Sequence, residues 1–405
     1  MRMNPIIHLP GSLMKPQRIP LQVWILTLSA FAIGTAEFVV AGLLTTMAHS
    51  LNITDGQAGN VITAYAMAIV VGGPVLTLWL ARFEKRNVLA GLMVLFIAAN
   101  LVSALSTSYP VLLVSRVLAG LVQGPFYGSG AVVATRLVAE NLAGRAVGQM
   151  FAGLTLANVL GVPFGSWIGN IFGWNVTFYV VAALGAVALI AIISTIHRQP
   201  IEEGKSIRQQ LAVFRHGPLL ASLTITVLSW TGFMTLYGYI APLAEQVAGY
   251  SVGALTVLLF VVGIGLVAGN HIGGITADRN LRQAQLLWPV LMVVSLIVVG
   301  LVSSHYWLFM VATFLFGIAS FGNVPPLQMN VMKHGSAAPE LAGTANISAF
   351  NLANALGGVI GGLTVDSTFG AAGIPWVATL IPLAGIAYVL FSRRHPRLNI
   401  KAARS

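Results

Sequence analysis

Twelve long, largely apolar stretches follow one another along the chain, and no other feature constrains its fold as strongly. They run over about 21–47, 57–81, 88–107, 109–138, 144–170, 174–197, 218–247, 251–277, 284–303, 306–333, 339–367 and 371–392. Each is near or above the ~20 residues that an α-helix needs to cross a hydrocarbon core. Charged types make up only 8% of the 405 residues and hydrophobic types 57%, against roughly 25% charged in a soluble domain. Lipid is the solvent that suits such a chain. Inside lipid every backbone N–H and C=O needs an internal partner, so spans are helices or closed barrels. The runs are continuous rather than alternating, which selects helices over barrel strands. The expected fold class is an all-α membrane protein with twelve transmembrane helices.

The charges divide between the two faces of such a bundle. With twelve spans, one side receives Arg2, Lys15 and Arg18, then Arg82, Lys85 and Arg86, then Arg136 and Arg145. The central loop adds Arg198, Lys205, Arg208 and Arg215 to the same side. Arg279, Arg282 and Lys333 follow, and Arg393, Arg394, Arg397, Lys401 and Arg404 complete it. The opposite side receives no Lys or Arg, and the remaining Arg116 lies inside a span. Basic residues stay cytoplasmic, so both termini are expected in the cytoplasm. The net charge of +11 is thereby a topology signal and not a nucleic-acid footprint. The first 20 residues lack the short apolar core and cleavage site of a signal peptide. The chain has no cysteine, which rules out disulfides and thiolate metal sites.

Internal repeats appear at an offset near 197. Thr77–Arg86 corresponds to Gly274–Arg282, Tyr109 to Tyr306 and Gly120 to Gly317. "LANVLG" (Leu156–Gly161) returns as "LANALG" (Leu352–Gly357). These matches keep their order, as duplication of a six-span unit would. The expected division is an N-terminal tail over 1–20, a six-helix half over 21–197, a central loop over 198–217, a second six-helix half over 218–392 and a C-terminal tail over 393–405. Parallel six-span halves around a midplane site are one transporter architecture.

The stretches "GTAEFVVAGLL", "SRVLAGLVQG", "LANVLGVPFGSWIGNIFGW", "GNHIGGITADR", "GNVPPLQMNVM" and "FNLANALGGVIGG" together resemble the major facilitator superfamily. Within it they are most similar to the twelve-span drug:proton antiporter group, which includes bacterial sugar-efflux, arabinose-efflux-like, purine-nucleoside-efflux and chloramphenicol-resistance permeases. Three family motifs fall on this sequence. The fourth-span motif is Arg116 with Gly120. The fifth-span antiporter motif is Gly161, Pro163 and Gly165, without the usual adjacent Gly-Pro pair. The loop motif is kept in the second half as Gly274, Asp278, Arg279 and Arg282, while Thr77 and Ala81 replace its Gly and Asp in the first. Ala41 stands where relatives often carry Pro. The resemblance implies two pseudo-symmetric halves, alternating access and a monomer in the bacterial inner membrane. It also implies a small organic solute exchanged for protons, with no cofactor.

An ionisable residue in mid-span costs about 2.5–3.5 kcal/mol on insertion scales and marks a functional site by default. Two qualify. Glu37 lies ten residues before the outer end of the first span, roughly 15 Å deep, and Arg116 seven residues into the fourth, roughly 10 Å deep. A carboxylate in low dielectric favours its protonated form, and a nearby guanidinium favours the ionised one. Glu37 and Arg116 are therefore the expected proton-coupling pair, with Glu37 alternating between proton-bound and Arg-paired states. The spans that line the cavity in the resembled family supply six substrate candidates: Gln123, Tyr127, Trp230, Tyr237, Asn323 and Gln328. Aromatics beside amides suit a neutral, ring-bearing or hydroxylated solute. Each could equally serve helix packing.

Gly161, Gly165 and Gly169, and likewise Gly357 and Gly361, form small-residue faces for close helix contact. Asp55 and Ser251 are expected to cap helix starts. Letter matches to a dinucleotide fingerprint (Gly263–Ala268) and a phosphate loop (Gly204–Ser206) lack the required context. No nucleophile–base cluster or HExxH-like set supports a multispanning enzyme. One lopsided Glu/Arg pair in a two-fold repeat fits alternating access better than a uniform pore. Import by proton symport remains the alternative to export.

Overall fold

The computed structural model describes residues 19–80, 82–139, 142–198, 217–335 and 339–394. Residues 1–18 and 395–405 of the expected tails and residues 199–216 of the expected central loop lie outside the described residues. Among the described residues, eleven helices are long and apolar enough to cross a membrane. One of them, Val252–Val302, has 51 residues, about 76 Å at 1.5 Å per residue, too long for a single crossing. It divides at Asn280, whose φ of −158° and ψ of 90° are not helical, so the described residues make twelve crossings.

Local chemistry starts and stops these helices. Thr54 accepts from the Gln57 backbone while the Gln57 side chain accepts from the Thr54 backbone, a capping box that opens the second span, Asp55–Leu80. The expected cap Asp55 is instead the first helical residue. Ser251 does cap its helix, accepting from the backbone of Ala254. Asn280 accepts from the Gln283 backbone at 3.1 Å, so it caps the ninth span and turns the chain within one residue. Gly173, at a φ of +100°, joins the fifth and sixth spans in a conformation that a side chain would strain.

Outward faces are apolar, as lipid requires: Trp307, Leu363, Ile190 and Val75 are all strongly exposed. Inside each half, glycine faces bring helices close. A Cβ on Gly165 would lie 2.7 Å from Val39 Cγ2, and Cβ atoms on Gly161 and Gly169 would collide with Thr35 and Leu43. The fifth span thus seats its glycines against Thr35, Val39 and Leu43, the matching i, i+4 row of the first. In the second half, Gly357 and Gly361 meet Met234, Thr235 and Tyr239 of the seventh span, Gly217–Tyr237, and its continuation. The expected glycine faces are therefore real contacts, and they are pseudo-symmetric.

The eleventh span, Pro339–Val365, carries a second glycine face that points at the other half. A Cβ on Gly358 would lie 2.5 Å from Thr63 Oγ1, and one on Gly362 3.1 Å from the Gly56 carbonyl oxygen. Hydrogen bonds continue this seam at the end of the bundle away from the termini. Asp366 accepts from the Thr54 hydroxyl at 2.6 Å and from the Gly56 backbone at 3.0 Å. Gln246 donates to Asp55 at 2.8 Å. The distal ends of the two halves are closed on each other. Because the chain lacks cysteine, a spin-label pair at Thr107→Cys and Ser304→Cys, on exposed distal loops of the two halves, can report this closure. Gly358→Leu drives a side chain into Thr63 and should lengthen and broaden that distance distribution in pulsed EPR; an unchanged distribution would count against the seam.

Candidate functional site

The first span consists of two helices, Leu21–Phe38 and Val40–Leu51, that meet at Val39, two residues beyond Glu37. The fifth span holds the distal piece. Ser166 and Asn170 donate to the Gly42 carbonyl at 2.7 and 3.1 Å, and Thr46 bonds to Asn170. Glu37 thus lies two residues before a tightened turn of its own span, where the Gly42 N–H bonds to the Val39 carbonyl at 3.1 Å.

Only 6% of Glu37 is exposed, so its oxygens need donors from the protein. Gln123 Nε2 donates to Oε2 at 3.0 Å and Asn354 Nδ2 donates to Oε1 at 3.3 Å. Each amide is oriented by its other end. The Tyr65 hydroxyl donates to Gln123 Oε1 at 2.8 Å, and Trp230 Nε1 donates to Asn354 Oδ1 at 2.9 Å. Tyr65, Gln123, Glu37, Asn354 and Trp230 therefore form one row of bonded side chains. They come from the second, fourth, first, eleventh and seventh spans. The row crosses from one half to the other at Glu37 and Asn354.

Arg116 is fully buried beside this row. Its Nη2 donates to the Ala36 carbonyl at 2.7 Å, and its guanidinium lies 4.4 Å from the Tyr65 ring and 5.5 Å from that of Phe178. Such stacking is favourable for a desolvated cation. Arg116 Nε and Nη1 have no hydrogen-bond partner. In this conformation the two charges are neighbours without a direct bond, so the Arg-paired state of the expected alternation is not the one seen. Both carboxylate oxygens face amides, and the guanidinium is held on the aromatic rings and on the carbonyl of the residue preceding Glu37. Gly120 makes the approach possible, since a Cβ there would collide with the Tyr65 carbonyl oxygen.

The six substrate candidates separate. Gln123 and Trp230 belong to the row itself. Tyr237 stacks on Phe233 at 5.0 Å and meets the edge of Phe38 across the halves at 6.3 Å. The hydroxyls of Tyr127 and Tyr237 are buried without a hydrogen-bond partner. Asn323 is fully buried between the two helices of the tenth span, Tyr306–Gly322 and Val324–His334, with neither amide atom partnered. Gln328 is instead engaged: Asn346 donates to it at 2.6 Å and accepts from Thr226 at 2.8 Å.

The gating residues also separate. Gly161, Pro163 and Gly165 lie where the fifth span packs, at the end of a π-helical turn over Ala157–Gly161 and just after it. Gly274 has open space where a Cβ would point, and Asp278, Arg279 and Arg282 are exposed at the turn before the ninth span. Asn354 and Tyr65 escaped the sequence reading. Asn354 had a signal: it is the repeat counterpart of Asn158 in "LANVLG" and "LANALG".

Residues 26–362 match the model of the Major Facilitator Superfamily. The chain belongs to that family. It is similar to the inner membrane transport protein YdhP of Escherichia coli K12, 35% identical over 90% of this chain and 93% of that protein. It is also similar to the chloramphenicol resistance protein of Streptomyces lividans, 29% identical over 90% of this chain and 94% of that protein. The crystal structure of a D-xylose-proton symporter shares the fold, with a TM-score of 0.76 at 14% identity over 92% of this chain and 97% of that one. The superfamily chain is a multi-pass membrane transporter.

Removing one partner of a buried charge costs about 3–5 kcal/mol. Arg116→Leu should therefore lower the apparent unfolding temperature in detergent, more at pH 8 than at pH 5.5, because proton uptake by Glu37 relieves the uncompensated charge. Adding Glu37→Gln should recover most of the loss; additive effects in that double-mutant cycle would separate the two groups.

Proposed function

We propose that this transporter exports a small neutral organic solute in exchange for protons, with Glu37 as the proton carrier. One observation carries the reading: among the described residues a single carboxylate lies buried at the contact of the two halves, with one donor from each half. A carboxylate so placed is solvated by side chains whose distance depends on how the halves are tilted. Rocking the halves changes that solvation and so changes the affinity for a proton, which is what coupling requires. Arg116 is the fixed neighbouring cation that keeps the ionised form accessible in a dry site.

In this reading the solute-site candidates are Tyr237, Tyr127 and Asn323, whose buried polar atoms have no protein partner. Such side chains suit a neutral ring-bearing or hydroxylated compound, which is compatible with a relative named for chloramphenicol resistance. The basic residues argue for a cytoplasmic terminal end, so in this reading the closed distal seam is on the outer side of the membrane. One proton charge moving through 100 mV yields about 2.3 kcal/mol, enough for a roughly fifty-fold gradient of a neutral solute.

Cells overexpressing the protein should tolerate at least one compound of a phenicol, nucleoside and sugar-analogue panel better than cells expressing Glu37→Gln. In everted vesicles an imposed proton gradient should drive uptake of that compound by the wild type. Glu37→Gln should bind it with similar affinity yet fail to concentrate it. Concentrative transport by the variant would remove Glu37 from the coupling, and gradient-driven loss from the same vesicles would reverse the direction to import.

A further inference from the structure

We propose that Asn354 is a positioning residue that makes the closed contact between the halves depend on the charge of Glu37, and that the Trp230 N–H gives it this role. The inference rests on the reading of Glu37 as proton carrier and deepens it.

The two amides around Glu37 look alike but differ in what lies behind them. Trp230 Nε1–H can only donate, so the atom of Asn354 that faces it is the oxygen. The amide nitrogen of Asn354 is thereby turned to Glu37. The indole itself is confined by Phe233, Phe321 and Phe350, whose ring centres lie 4.5, 5.4 and 5.0 Å away. Reversing Asn354 would set two donors against each other in a buried site. Behind Gln123 stands a hydroxyl, the group of Tyr65, which can donate or accept.

Proton uptake is therefore accommodated on one side only. A proton arriving from water on Oε2 can be donated to Gln123 if that amide turns over. Its nitrogen then donates to the Tyr65 oxygen, and the hydroxyl hydrogen swings away. Two hydrogen bonds exist on that side before and after. On the Asn354 side no reversal is open, so Asn354 remains a donor, now to the oxygen of a neutral acid. A bond to a charged acceptor is roughly twice as strong as its neutral counterpart. Protonation of Glu37 thus weakens the one side-chain bond between Glu37 and the opposite half while leaving the intra-half bonds in number unchanged. The titratable and charged groups around Glu37 are Arg116, Tyr65 and Tyr127. All three belong to the same half as Glu37, so none of them substitutes for Asn354 across the contact.

The test uses full-length protein in lipid nanodiscs, spin-labelled at Thr107→Cys and Ser304→Cys, with pulsed EPR distances collected from pH 5.5 to 8.5. In the wild type the distal-open population should rise about five-fold as Glu37 takes up its proton. Glu37→Gln should hold the low-pH distribution throughout. Trp230→Phe keeps an aromatic ring but frees Asn354 to turn over and accept from protonated Glu37, so its distribution should lose most of its pH dependence. Asn354→Leu should lose it as well. Gln123→Leu should instead retain the response with its midpoint moved to higher pH, because a donor to the carboxylate is gone.

A wild-type pH response in both Trp230→Phe and Asn354→Leu, with Glu37→Gln flat, would overturn the role of Asn354 and leave Glu37 as carrier intact. A wild-type response in Glu37→Gln would overturn the underlying reading as well. Size-exclusion profiles confirm that each variant is folded before labelling, and the two substitutions at opposite ends of the bond keep the test decisive if one does not fold.

Discussion

A carboxylate surrounded by lipid-facing helices has to be solvated by the protein, and the donors that solvate Glu37 come from both halves of the molecule. That requirement ties several otherwise separate features together. Gln123 can reach Glu37 because Gly120 lets the fourth span lie against the second, where Tyr65 orients the amide. Asn354 can reach it because Gly358 and Gly362 let the eleventh span lie against the second across the interface. Had either glycine row carried side chains, Glu37 would lack a donor on that side. An unsolvated carboxylate in such a site would stay protonated.

Symmetry explains the scaffold and its violation explains the site. Fifth on first and eleventh on seventh are the same glycine-mediated contact repeated. Asn158 and Asn354 are repeat partners, yet their surroundings differ. Asn354 bonds Glu37 and Trp230, whereas Asn158 donates to Leu154 and its oxygen has no partner. At the repeat offset of 196 to 197, Glu37 corresponds to Phe233 or Met234, neither of them acidic. The duplicated fold supplies two equivalent asparagines, and only the one facing the carboxylate has a charge to answer.

The spans, their number and the duplicated pattern were legible in the sequence because lipid imposes a length and a composition on every crossing helix. Glu37 and Arg116 stood out for the same reason: a charge in an apolar run is costly and therefore visible. Their partners did not stand out. Amides and hydroxyls within a span cost little enough that sequence cannot separate a packing residue from a donor, so Asn354 and Tyr65 passed unremarked beside candidates such as Gln328. The geometry between Glu37 and Arg116 was equally hidden. Depth along two helices placed them together, but side-chain direction decided that the guanidinium would lie on Tyr65 and bond the Ala36 carbonyl. Rotation about a helix axis is set by packing at the glycine faces, and that lies beyond any single span's pattern.

Direct pairing of Glu37 with Arg116 would have been a poorer arrangement for a carrier. A contact ion pair in a dry site is hard to dissociate, since breaking it leaves both charges uncompensated. Holding the cation near but bonded elsewhere supplies a steady field that favours the carboxylate without committing it to one geometry. The adjustable bonds are then those of the neutral amides, which can be made and broken at far lower cost. In the proposed carrier role, a charge loaded and unloaded each cycle is better held by weak donors than by a strong fixed partner, and the row from Tyr65 to Trp230 holds Glu37 through neutral amides.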